Sequence, residues 1–263
     1  DAAQQVFARV GTAVHCLLTP FMGLASKLDF AKIAECSYTC CAYYSASSAG
    51  GRRDLASLEK QQLVKRVHGG AVIEENSVSA MKIPFVLREL EESDAKVEMA
   101  KKAINLVNDY DVIFLDASSS VYNLVPFLAV KNHLTVITSG IKTLLRLGDY
   151  GIKAISTGGD LLPSCRSLVG EEAYRTILSY NANIAFFSCR GLSDDGYLTD
   201  ISETENLVRR RLIEHSEKSY LMCASNKIGK KYFHNLCSAK DISGIICEKE
   251  LPPALSEFEA NIK

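Results

Sequence analysis

The sequence carries almost no net charge: 30 Lys and Arg stand against 31 Asp and Glu, a formal charge of −1. No overall basic field draws in nucleic acid, so any DNA contact has to come from a local patch. Long apolar runs are also missing. Residues 10–25 are rather apolar, but the stretch is short and holds His15, Pro20 and Gly23, which argues against a membrane span. None of the 9 cysteines forms a C-x-x-C pair. Cys36, Cys40 and Cys41 have no histidine nearby and poor spacing for zinc, so no metal site is expected. No secretory leader is recognisable at the start, and scattered thiols then suit a reducing, cytoplasmic setting better than disulfides. A nucleophile elbow, a Walker loop and an H-E-x-x-H helix are all absent. No cofactor is therefore expected, and no internal repeat is convincing.

What is present is a chain of 263 residues, long enough for one large domain or for a small and a medium one. Residues 1–51 are poorly readable, and 36–51 form an uncharged run of small and hydroxylic residues without period. Order begins at Arg52. Leu55 and Leu58 share one helical face behind the paired Arg52 and Arg53. Residues 63–73, with Lys65, Arg66 and His68 before Gly69 and Gly70, read as two short strands around a tight turn. A helix followed by a basic hairpin is the layout of a winged helix-turn-helix, in which the helix enters the major groove and the wing touches phosphate. Residues 74–92 have mixed polarity, Pro84 and no sustained period, and read as a linker.

From Ser93 onward the pattern is regular. Ala100, Ala103, Ile104 and Val107 mark an amphipathic helix, and the wholly apolar Val112, Ile113, Phe114 and Leu115 follow as a strand buried on both faces. Further strands are expected at 134–138, 152–157, 183–188, 220–224 and 242–247, with helices at 121–129, 141–147, 168–180 and 202–215. Such alternation predicts a mostly parallel sheet with helices on both faces. Five of those strands end in small or polar residues. Asp116, Ser118, Ser119 and Ser120 follow the first, Thr138, Ser139 and Gly140 the second, and Thr157, Gly158 and Gly159 the third. Cys189, Arg190 and Gly191 follow the fourth, and Ser225, Asn226 and Lys227 the fifth. In a parallel sheet all these loops open on one edge, where amides, hydroxyls and two cations would form a receptor for a small anion. Acids are plentiful but fix no catalytic pair, and Ser202 with Glu205 reads as a capping box at a helix start. No catalytic residue is assigned.

These stretches resemble the DeoR family of bacterial transcriptional regulators. Arg52-Arg53-Asp54-Leu55 running into Arg66-Val67-His68-Gly69-Gly70-Ala71 is similar to the end of that family's helix-turn-helix and its wing. Phe114-Leu115-Asp116-Ala117-Ser118-Ser119 resembles its effector loop, and Ser167 to Gly170, Cys189 to Leu192, Asp195 to Thr199 and Ser225 to Gly229 continue the likeness. The resemblance implies a winged helix-turn-helix at 1–73, a linker at 74–92 and an α/β sensor domain at 93–263, related to ribose-phosphate isomerases. It implies a repressor of a sugar-utilisation operon that binds operator DNA and a phosphorylated sugar, works as a homo-oligomer (dimer or tetramer), and has no membrane partner. Carried over residue by residue, and with Ser120 and Gly191 added from their loops, effector contacts fall at Asp116, Ser118, Ser119, Ser120, Thr138, Ser139, Gly158, Gly159, Arg190, Gly191, Thr199, Glu205 and Lys227. DNA contacts fall at Arg52, Arg53, Lys65, Arg66 and His68.

Three departures bear on function. Arg190 stands where the family usually has an acid, and an arginine stays protonated at neutral pH, so it serves as a phosphate partner and not as a base. Ala224 precedes Ser225 where many relatives carry Asp. Both changes favour a binder over an isomerase-like enzyme, which is the alternative reading. Upstream of Arg52 the family's Ser-x-x-Thr helix entry is not recognisable, which keeps open a ligand sensor whose DNA-binding domain has decayed.

Overall fold

The computed structural model describes residues 65–67, 70–72 and 85–262. The chain divides into two units, Asp1–Met81 and Lys82–Lys263. In the first, strands β1 (Lys65–Val67) and β2 (Gly70–Val72) pair antiparallel with Lys65 opposite Val72 and Val67 opposite Gly70. This is the hairpin expected for the wing. Arg52, Arg53 and His68 lie outside the described residues, as do Cys36, Cys40 and Cys41.

The second unit is built on β3 (Val112–Leu115). Ile113, Phe114 and Leu115 are fully buried, and their side chains alternate across the sheet. Ile113 and Leu115 join one core and Phe114 joins another, as a strand covered on both faces requires. Around β3 run β4 (Thr135–Thr138), β5 (Lys153–Ser156), β8 (Ala182–Phe187), β11 (Ser216–Met222) and β13 (Gly244–Ile246). Their order is β13-β11-β8-β3-β4-β5, and every pairing is parallel. The mostly parallel sheet is therefore as read, strand for strand.

Helices cover both faces. α2 (Ser93–Ala103), α3 (Ser119–Tyr122), α4 (Val125–Leu128) and α5 (Ile141–Asp149) contribute Met99, Val121, Leu128 and Leu147 to the core holding Ile113. α6 (Glu171–Leu178) and α7 (Glu203–Glu214) contribute Ile177, Val208 and Leu212 to the core holding Phe114. The single helix read at 121–129 is two. Pro126 lacks the N–H that would reach the Tyr122 carbonyl, and that carbonyl accepts from Arg146 Nη1 at 3.1 Å.

Three further differences have simple causes. The helix expected from Leu168 starts only at Glu171, because Ser167–Val169 is strand β7 paired antiparallel with β6 (Asp160–Leu162). Gly170, at φ 92°, makes the turn between strand and helix. Within the segment read as linker, Phe85–Leu90 forms a helix, α1, and Phe85 is buried edge-on against the Tyr122 ring. Six residues are too few to display a helical period. A second sheet, order β12-β10-β9, is antiparallel and formed by β9 (Gly191–Leu192), β10 (Tyr197–Asp200) and β12 (His234–Ser238). Its apolar side, with Leu192, Leu198 and Leu236, packs on Phe187 and Leu221 of the main sheet. Among the described residues no helix is long and apolar enough to cross a membrane.

Candidate functional site

Because β3, β8 and β11 are neighbours and parallel, their carboxyl ends emerge side by side. A cleft opens there, about 850 Å³ of empty space with solvent at its mouth included. Ser118 and Ser119 line it from β3, Ser188 to Arg190 from β8, and Ala224, Asn226 and Lys227 from β11. Glu205 and Arg209 of α7 line it with Asp200, as do Arg88 of α1, Glu91 and Glu92 of the corner after α1, and Lys96 of α2.

The charges behind this cleft are organised by Arg209, which is almost wholly buried. Its Nε donates to Asp116 Oδ2 at 3.0 Å, and one terminal nitrogen donates to Asp200 Oδ2 at 3.0 Å and Asn206 Oδ1 at 3.2 Å. Glu205 Oε1 lies 3.7 Å away, one helical turn earlier. Burial alone would lower the Arg209 pKa, but Asp200, Glu205 and Asp116 together hold it above its ordinary value. Asp200 answers in kind. Burial pushes its carboxyl up, while the Arg209 guanidinium and the Ile201 backbone N–H bring it below the usual range.

Asp116 is fully committed. Its Oδ1 accepts from the Ser118 backbone N–H at 2.9 Å, and its Oδ2 accepts from the Ser188 N–H at 3.2 Å as well as from Arg209. It ties the tips of β3 and β8 together and sits behind the cleft, not in its wall. Ser118 caps α3 by accepting from the Val121 N–H. The capping box expected of Ser202 and Glu205 is not formed. Ser202 holds the cap position of α7 without a cap bond, and Glu205 turns inward to Arg209 and to Cys165, whose Sγ donates to Oε2 at 3.1 Å. Two buried side-chain partners outweigh one backbone amide.

The cations at the mouth are differently placed. Lys227 donates from Nζ to Ser188 Oγ at 3.0 Å and to the Cys189 carbonyl at 2.9 Å. Lys96, only 4% exposed, donates from Nζ to the Arg88 and Glu91 carbonyls. Burial, with repulsion from Lys227, brings its pKa down to about 8. The Arg190 guanidinium has no hydrogen-bonded partner among the described residues and is near enough to Asp200 to lower that carboxyl. Three cations thus face the cleft with hydrogen-bonding capacity to spare, while Asp116 and Asp200 are spent on Arg209.

Of the expected effector residues, Ser118, Ser119, Arg190, Glu205 and Lys227 line this cleft. Asp116 and the buried Ser120 lie behind it. Thr138, Ser139, Gly158 and Gly159 sit at the tips of β4 and β5, outside the lining. There Thr138 Oγ1 accepts from the Gly140 N–H at 3.0 Å, and a Cβ on Gly159 would run into the Val169 carbonyl. Gly191 and Thr199 pair between β9 and β10, and Thr199 Oγ1 accepts from the Tyr232 N–H at 3.0 Å. Lys65 and Arg66 belong to β1. Sequence reasoning missed Arg209 and Lys96. The first stands in a run of three arginines that reads as a solvated helix face, although its spacing of four from Glu205 was a visible pairing signal. The second carried no signal beyond an acidic-basic helix start.

Residues 91–249 match the family described as "DeoR C terminal sensor domain", and residues 39–77 match "DeoR-like helix-turn-helix domain". The chain belongs to the DeoR family of transcriptional regulators. It is 36% identical over 204 residues to the HTH-type transcriptional regulator YulB of Bacillus subtilis, covering 77% of this chain and 78% of that one. It is 29% identical to the L-fucose operon activator of Haemophilus influenzae (79% and 82% covered). It is 28% identical to the lactose phosphotransferase system repressor of Staphylococcus epidermidis (75% and 78% covered). Among solved structures, ribose 5-phosphate isomerase A of Methanocaldococcus jannaschii superposes with a TM-score of 0.41 at 15% identity, over 52% of this chain and 55% of that one.

Proposed function

We propose that this DeoR-family chain is an operator-binding regulator, most simply a repressor of a sugar-utilisation operon, whose cleft at the ends of β3, β8 and β11 takes a phosphorylated sugar. The observation that carries the reading is the division of charge in the cleft. The buried acids Asp116 and Asp200 are consumed by Arg209, whereas Lys96, Arg190 and Lys227 retain donors for an incoming anion. Isomerisation needs a carboxylate free to move a proton. Asp116 already accepts three hydrogen bonds, and Glu205 is held by Arg209 and Cys165, so the arrangement favours binding without turnover. Ser119 offers its backbone amide and hydroxyl and Ser118 its hydroxyl beside the cations, while Glu205, already held by Arg209 and Cys165, keeps acceptor capacity for a sugar hydroxyl.

On the DNA side, the basic strand of the β1–β2 hairpin and the Arg52-Arg53 pair supply the local patch that the overall charge conceals. An even-numbered assembly in the cytoplasm would match a palindromic operator. Fluorescence anisotropy with DNA from the region upstream of the chain's own operon tests the reading. Binding is expected to weaken steeply with salt, to fail in Arg53→Ala, and to change when a phosphorylated sugar is added. An intact protein that binds no such DNA at low salt would overturn it.

A further inference from the structure

α1 is the first element of the second unit, and the chain reaches it directly from residue 84. It meets α2 at a corner formed by Glu91 and Glu92, and Glu92 sits in the left-handed region at φ 51°. That conformation is uphill for a residue with a side chain, so something must hold it. Lys96 does part of the holding: its ammonium donates to carbonyls at Arg88, in the last turn of α1, and at Glu91, in the corner itself. On the other side, Asn226 Nδ2 donates to Glu92 Oε1 at 3.4 Å.

An ammonium has three donors. Lys96 uses two on neutral carbonyls, makes no ion pair among the described residues, and lines the cleft. Glu91 and Glu92 are near enough to favour the charge, but neither carboxylate is hydrogen-bonded to it among the described residues, and a buried cation is ordinarily paired directly. Lys227, which also lines the cleft, repeats the pattern, with two donors given to neutral oxygens and a charge close enough to oppose that of Lys96. One anion between the two would supply both missing partners at once.

We infer that Lys96 is the residue through which a bound anion is felt outside the cleft: the anion takes its third donor and completes a bridge from ligand to ammonium to the carbonyls of Arg88 and Glu91, tightening the corner between α1 and α2. The inference rests on the cleft being an anion site and adds which residue reports its occupancy, and to which element. α1 is the natural recipient, since both carbonyls held by Lys96 belong to its last turn and to the corner that follows it.

Hydrogen exchange on the full chain, with and without saturating inorganic phosphate, tests this. In the wild type, phosphate slows exchange at the tips of β8 and β11 (188–190 and 225–228) and, several-fold, across residues 88–96. In Lys96→Met the free protein exchanges faster across 88–96, and phosphate restores nothing there while still protecting 225–228. Lys96→Gln, which keeps a donor but no charge, behaves as Lys96→Met does toward phosphate. Protection of the strand tips without any change across 88–96 in the wild type would overturn the relay and leave the anion site standing. Absence of protection at the tips would remove the anion site, and the relay with it.

Discussion

Arg209 and Asp116 are 93 positions apart in sequence and joined by a hydrogen-bonded ion pair of 3.0 Å, with both side chains almost fully buried. The pair anchors α7 to the end of β3 and, through Asp116, to the Ser188 amide at the end of β8. The wall of the cleft is therefore only as firm as this contact.

Replacing Arg209 with Met should destabilise the fold by about 3–5 kcal/mol, because Asp116 and Asp200 would be left buried without a counter-charge. Arg209→Lys should recover only part of this, since one ammonium cannot reproduce the guanidinium fork toward two carboxylates. Urea unfolding followed by circular dichroism measures both. Unchanged stability in Arg209→Met would mean that the pair is not what binds α7 to the sheet.

Acid should act through the same network. The Asp200 carboxyl is held below its ordinary 3.8 in the folded chain, chiefly by Arg209 acting against burial. A depressed native pKa stabilises fully above the unfolded value and is lost as pH falls through the native one. Stability is thus expected to be flat from pH 7 to 5 with respect to this group and to fall below about pH 4. In Asp200→Asn that portion of the acid slope should shrink.

Lys96 gives the opposite dependence for ligand. With a pKa of about 8, its ammonium is charged at pH 7 and largely neutral at pH 9. Lys227 and Arg88 oppose the charge, and Glu91 and Glu92 support it. A phosphate monoester is already fully ionised across that range, so its affinity should fall above pH 8 with uptake of a proton on binding. Calorimetry in buffers of different ionisation enthalpy measures the proton, which should vanish in Lys96→Met.

Gly191 tests the cleft's outer loop. A Cβ there would fall on the carbonyl of Lys230, whose residue lines the cleft together with Tyr232. Gly191→Ala should cost about 1–3 kcal/mol through forced backbone movement, and should weaken effector binding as the 230–232 segment shifts. Equal stability and affinity in the variant would show that the loop moves freely.

What was legible in the sequence is what depends on local pattern. The four apolar residues of β3 and the five strands that follow it declare a parallel sheet, and their polar ends declare the edge at which a ligand cleft is expected. Pattern cannot say which ends share a cleft. That depends on strand order, and β8 and β11 lie on one side of β3 while β4 and β5 lie on the other. Hence Lys227 and Ser118 meet at the cleft, whereas Thr138 and Gly158 do not line it. The buried ion pairs were hidden for a related reason. Arg209 looks like any exposed helix arginine until Asp116, 93 positions earlier, is brought beside it. The capping reading of Glu205 failed because a local motif was outbid by a tertiary partner.

The central claim is that the ends of β3, β8 and β11 form a receptor for a phosphorylated sugar and carry out no chemistry on it. Isothermal titration of a panel of pentose and hexose phosphates into the full chain tests it most directly. At least one member should give saturable heat that returns to baseline after each injection, and this heat should be lost in Lys227→Ala and Arg190→Ala. A panel without saturable heat, or heat that continues after each injection as substrate is consumed, would contradict the account.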